Sequence, residues 1–166
     1  MRRIALLTPL LTTADAISND LYGMQAVLNE RGHDARLFAN EYDTDAEVSH
    51  AKKIKDFLKS PDDLLIYHYS MGWNFGLKLL QELECRTVVK YHNITPPEFF
   101  TGISLDYENV CRHGRQQLKD IAATNCDLYL ADSEYNAQEL LHEGVKECFV
   151  VAPFHHIDKL ATLAPE

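Results

Sequence analysis

Short apolar runs alternate with segments whose apolar residues recur at helical spacing, and this alternation constrains the chain more than any other feature. Ile4 to Thr8 is a compact apolar run that Pro9 is expected to stop. Ile17, Leu21, Met24, Val27 and Leu28 then follow at helical spacing, with Asp15 placed as a cap and Gly32 placed to close the helix. A second strand is expected over Ala35 to Ala39, and an amphipathic helix carries Val48, Ala51, Ile54, Phe57 and Leu58 before Pro61. Leu64 to Tyr67 is the third strand. Leu77, Leu79, Leu80 and Leu83 mark a helix, and Arg86 to Tyr91 is the fourth strand, rich in β-branched residues.

The segment from Asn93 to Gly102 holds too much Pro and Gly for a regular element. A long helix is expected from near Ser104 to about Asn125, with Leu118, Ile121 and Ala122 inward. Asp127 to Ala131 is the fifth strand, Ser133 caps a helix that Gly144 ends, and Cys148 to Ala152 is the sixth. Parallel strands need crossover connections, so the pattern predicts one α/β domain: an open, mostly parallel, Rossmann-like sheet of about six strands with helices on both faces. The domain is expected over residues 1–153, with 154–166 as a linker or tail.

A chain of 166 residues with 46% hydrophobic and 25% charged residues can bury a full core. The formal charge of −9, with no basic stripe, argues against nucleic acid as a partner and does not indicate membrane association. Cys85, Cys111, Cys126 and Cys148 form no C-x-x-C pair, which points to a reducing, cytoplasmic setting. Met1-Arg2-Arg3 with the apolar run after it superficially resembles a signal peptide, but a buried first strand explains so short a stretch better.

In sheets of this kind ligands bind beyond the carboxyl ends of the strands. Those ends deliver Thr8-Pro9-Leu10, His68-Tyr69-Ser70, His92-Asn93-Ile94-Thr95 and Asp132-Ser133-Glu134. His92 is the candidate catalytic residue, since an imidazole there can exchange a hydrogen bond with a substrate hydroxyl. His68, Tyr69, Asn93, Thr95 and Glu134 are candidates for acceptor binding, while Asp132 and Ser133 are read as helix caps. The loop after the first strand holds no glycine, so the dinucleotide fingerprint is absent, and neither a P-loop nor a nucleophile elbow occurs. No metal ligands and no cofactor are assigned to this chain; the adjacent His155-His156 pair is taken as exposed.

Tyr91-His92-Asn93-Ile94-Thr95-Pro96-Pro97-Glu98-Phe99-Phe100, the helix Cys111-Arg112-His113-Gly114-Arg115-Gln116-Gln117-Leu118, and Ala131-Asp132-Ser133-Glu134-Tyr135-Asn136 together resemble the N-terminal half of family 4 glycosyltransferases of GT-B architecture. Asp15 to Asp20 is similar to that family's first helix start, whereas Leu10-Leu11-Thr12-Thr13 stands where many members carry Gly-Gly. The resemblance implies the acceptor side of a two-domain, retaining enzyme. His92 would then lie near the transferred sugar, and a C-terminal domain absent from this chain would hold the nucleotide-sugar donor. The partners implied are that domain and a sugar or glycan acceptor, with the isolated chain inactive. The competing reading is a stand-alone, flavodoxin-like module that binds a carbohydrate or a protein without catalysis.

Overall fold

The computed structural model describes residues 1–13 and 15–155. Seven parallel strands form one sheet: β1 (Arg3–Thr12), β2 (Asp34–Asp43), β3 (Val48–His50), β4 (Leu64–Tyr69), β5 (Arg86–Tyr91), β6 (Leu128–Ala131) and β7 (Phe149–Val150). Five helices connect them: α1 (Ala16–Glu30), α2 (Ile54–Phe57), α3 (Asn74–Glu82), α4 (Leu105–Ala122) and α5 (Glu134–His142). The order β3-β2-β1-β4-β5-β6-β7 reverses direction between β1 and β4, the switch point where such sheets open a crevice. The expected Rossmann-like class is observed.

Several boundaries differ from expectation, each for a local reason. β1 runs through Pro9 instead of ending there. Its pairing with β4 stops at Leu7, so Pro9 falls where the strand has only β2 beside it, and an edge tolerates a missing N–H. The helix expected from Val48 begins instead as a short strand, β3, followed by a 3-10 turn (Ala51–Lys53) and the single turn α2. His50 starts that turn by accepting the Lys52 N–H at Nδ1, while Val48 and Ser49 pair as extended chain beside Leu37 and Phe38. Among the described residues the sheet therefore has seven strands where about six were expected. The Pro-rich loop holds a short 3-10 turn (Pro97–Phe100).

The caps read from the sequence are in place, Asp15 accepting from the Ser18 N–H and Ser133 from Asn136, and Ser104, expected near the start of α4, caps it by accepting from Tyr107. Gly32 and Gly144 take φ of 83° and 101°, which end α1 and α5 at little steric cost. The two sheet faces differ. One carries Tyr67, Tyr69, Val89, Tyr91 and Tyr129 under α2 to α5. The other carries Leu6, Leu37, Ile66 and Val88 with Leu21 of α1. Because side chains alternate along a strand, this second face also receives His68 and Lys90, which are register partners across β4 and β5. Of the tail, residues 156–166 lie outside those described, as does Ala14; His155 is exposed.

Candidate functional site

On the α1 face, at the carboxyl ends of β4, β5 and β6, five ionisable side chains meet. The ladder continues past the strand ends: the His92 N–H donates to Tyr69 O at 2.9 Å and the Asp132 N–H to Tyr91 O at 3.3 Å, which fixes both backbones. His92 Nδ1 lies 2.7 Å from Asp132 Oδ2, and His92 Nε2 lies 2.9 Å from His68 Nδ1. Asp20, one turn into α1, puts Oδ2 2.6 Å from Lys90 Nζ, 3.4 Å from His68 Nδ1 and 3.8 Å from His92 Nε2. Lys90 also lies 3.6 Å from Asp132 Oδ1.

Four of these groups are buried and Asp132 is half-buried. Asp20, His68 and Lys90 have no exposed surface and His92 is 3% exposed. Burial, reinforced by His92 and Lys90, holds the His68 imidazole well below its ordinary value, so it is neutral at physiological pH. Lys90 is close to Asp20 but poorly aligned as a hydrogen-bond donor, so among the described residues Asp20 Oδ2 has no aligned donor and His68 Nε2 has no partner. So many charges away from water are costly to hold and point to function more than to packing.

The candidates from sequence divide into three groups. His92 and His68 are brought together. Tyr69 is not: alternation turns it to the opposite face, where its hydroxyl donates to Gly114 O and burial, with Tyr91 and Asp120 adding to it, raises its pKa. Its assignment to an acceptor site is corrected on that ground. Asn93, Thr95 and Glu134 are exposed on the rim and make no hydrogen bond to the cluster. The rim is also less open than expected. The Phe154 N–H donates to Asp20 Oδ1 at 2.9 Å, and the Phe154 side chain lies against Gly23, where an added Cβ would meet it at 2.4 Å. The chain thus closes its own rim at α1.

Sequence reasoning missed Asp20 and Lys90 and took Asp132 only as a cap. The signals were present: Asp20 falls three residues after Ile17 on the inward stripe of α1, and Lys90 shares a strand face with Val88.

No protein-family model and no curated protein matches this sequence. Solved structures of an α-glucosyltransferase share the fold. One, in complex with UDP and a 13-mer DNA containing an HMU base, aligns with TM-score 0.58 and 14% identity over 100% of this chain and 46% of that chain. Another, with UDP and a 13-mer DNA containing a central A:G mismatch, gives 0.54 and 15% over 96% and 43%. A third, with UDP-glucose and DNA containing an abasic site, gives 0.54 and 14% over 99% and 46%. This chain therefore shares its fold with part of these structures and spans less than half of their length.

These neighbours correct one expectation. Nucleic acid was excluded as a partner on net charge, yet proteins of this fold are solved with DNA bound. A total charge of −9 averages over the whole surface and does not exclude a local contact. Among the described residues no helix is long and apolar enough to cross a membrane.

Proposed function

We propose that this chain is the acceptor-side lobe of a nucleotide-sugar-dependent glycosyltransferase, with residues 1–153 as the N-terminal domain and 154–166 leading to a donor-binding lobe. The observation that carries the reading is the cluster of buried Asp20, His68, Lys90 and His92 with half-buried Asp132 at the strand ends beside the β1/β4 switch point, in a fold shared over the whole chain with one part of an α-glucosyltransferase. His92 is the group nearest the reacting sugar. With its ring nitrogens held by Asp132 and His68, it acts as part of a preorganised polar cluster beside the charge that develops as the glycosidic bond to phosphate breaks, with retention of configuration. Asn93, Thr95 and Glu134, exposed on the rim, contact the acceptor. The donor is a nucleotide sugar such as UDP-glucose, held by the other lobe, and no cofactor is required from this one.

The test is sugar transfer from UDP-glucose by the complete polypeptide that carries this sequence, with glycans and HMU-containing DNA as acceptors. His92→Asn is expected to lower kcat at least 100-fold, and Asn93→Ala or Thr95→Ala to raise the acceptor KM. Unchanged kcat in His92→Asn, or robust turnover by the 166-residue chain alone, overturns the proposal. A second reading, a non-catalytic binding module, is favoured by the 3% exposure of His92 and by the Phe154 segment over Asp20. Saccharide binding by the complete polypeptide with no transfer to any acceptor supports it.

A further inference from the structure

We infer that Asp20 Oδ2, His68 Nδ1 and His92 Nε2 form a binding site for one divalent metal ion of the zinc class. The three atoms form a triangle with edges of 2.9, 3.4 and 3.8 Å. That triangle encloses a point about 2 Å from each corner, the bond length zinc makes to imidazole nitrogen and carboxylate oxygen. All three residues are buried and come from different elements: α1, β4 and the residue following β5. Two imidazoles and one carboxylate suit a borderline cation better than calcium or magnesium, which prefer oxygen alone.

The surroundings fit a ligand set. His92 presents Nε2 to the site because Nδ1 is engaged by Asp132, the carboxylate–imidazole pairing that commonly orients a metal-bound histidine. Asp20 turns Oδ1 to the Phe154 N–H, which leaves Oδ2 facing the imidazoles. A proton shared between the two imidazoles would account for their 2.9 Å approach, but it would leave Asp20 Oδ2 without an aligned donor. Charge points the same way. Asp20 and Asp132 carry two negative charges against the single positive charge of Lys90, so the cluster without an ion is net negative. Lys90 is the competitor, since it neutralises the same oxygen. A site this enclosed is loaded as the chain folds, as metal sites that couple to folding are.

The inference concerns metal binding alone, so its failure leaves the glycosyltransferase reading untouched. The full chain is refolded with Zn²⁺ or with chelator, passed through gel filtration and analysed for metal. One equivalent of zinc is expected, with a higher Tm than in chelator. Asp20→Asn and His68→Gln should lose the zinc, while His142→Gln, on an exposed residue at the end of α5, retains it. Lys90→Met, which removes the competing ammonium, should bind zinc more tightly and depend on it more strongly for its Tm. Should the Asp20 and His68 variants fail to fold, the unmodified chain loaded with Co²⁺ decides: paramagnetically shifted ring protons from two histidines support the site. Zinc absent from the refolded chain, zinc lost in His155→Ala but kept in the folded Asp20 variant, or no shifted histidine resonances overturns it.

Discussion

His92 Nδ1 and Asp132 Oδ2 lie 2.7 Å apart, and this one contact decides which nitrogen of His92 faces His68. Asp132→Ala removes the acceptor and should convert His92 from a single tautomer into a mixture, seen in ¹⁵N spectra of the imidazole, with a loss of about 1–3 kcal/mol in stability from the unpaired group. Asp132→Asn keeps an acceptor oxygen and should preserve the tautomer. Identical ring spectra in the Ala variant would remove Asp132 from this role.

Lys90 and Asp20 form a fully buried ion pair at 2.6 Å. In chelator, Lys90→Met leaves Asp20 uncompensated and should cost about 3–5 kcal/mol in urea unfolding. The double variant Lys90→Met/Asp20→Asn should recover most of that loss, because the remaining groups carry less uncompensated charge. Additive losses in the double-mutant cycle would show that the two residues act independently.

Much of the fold was legible because its signals are local. Asp15 and Ser133 each cap the helix predicted for them, α4 starts at Ser104 as expected, and Gly32 and Gly144 end their helices at positive φ. Val48 was not legible as a strand residue: its spacing to Ala51 suits a helix, and only the neighbouring β2 makes it extended. The site was legible in part. Strand ends located His68 and His92, but a reading that treats polar residues as outward cannot see Asp20 and Lys90 neutralising each other inside. Tyr69 shows the converse. Period-two alternation alone places it opposite His68, and that argument was available from the sequence.

Gly114 lies where α4 crosses the β4–α3 loop. A Cβ there would stand 2.9 Å from Gly72 N and 2.9 Å from Ile94 Cδ1. Gly114→Ala should therefore lower stability by about 1–3 kcal/mol, more than the gain of up to about 1 kcal/mol in helix propensity, and thermal unfolding checks the sign. A raised Tm would mean that the loop yields.

Asp63 anchors the turn before β4. Burial pushes its carboxyl up, but the Lys59 and Ser60 N–H groups and Arg3 outweigh that and leave it below the ordinary value. A lowered folded pKa contributes stability that is present above the unfolded value of about 3.9 and is lost as pH falls through the folded one. Asp63→Asn should thus cost stability at pH 6 and show a shallower loss of Tm than the parent below about pH 4. Parallel curves would exclude this linkage.

Burial, with Glu134 nearby, pushes the Cys148 thiol up to about 11. Little thiolate exists at neutral pH, so alkylation of Cys148 at pH 7.5 should be much slower than that of a free thiol and should accelerate above pH 10. Rapid labelling at pH 7.5 followed by mass mapping to Cys148 would contradict the assignment.

Trp73, the single tryptophan, sits with Tyr67 and Phe75 on the tyrosine-lined face, with the sheet between it and the charged cluster. Intrinsic fluorescence is therefore a one-sided gauge of this molecule. It follows the loss of the aromatic half and is indifferent to rearrangements around Asp20 and the imidazoles, so a variant of the cluster can look native by emission while its polar half has come apart.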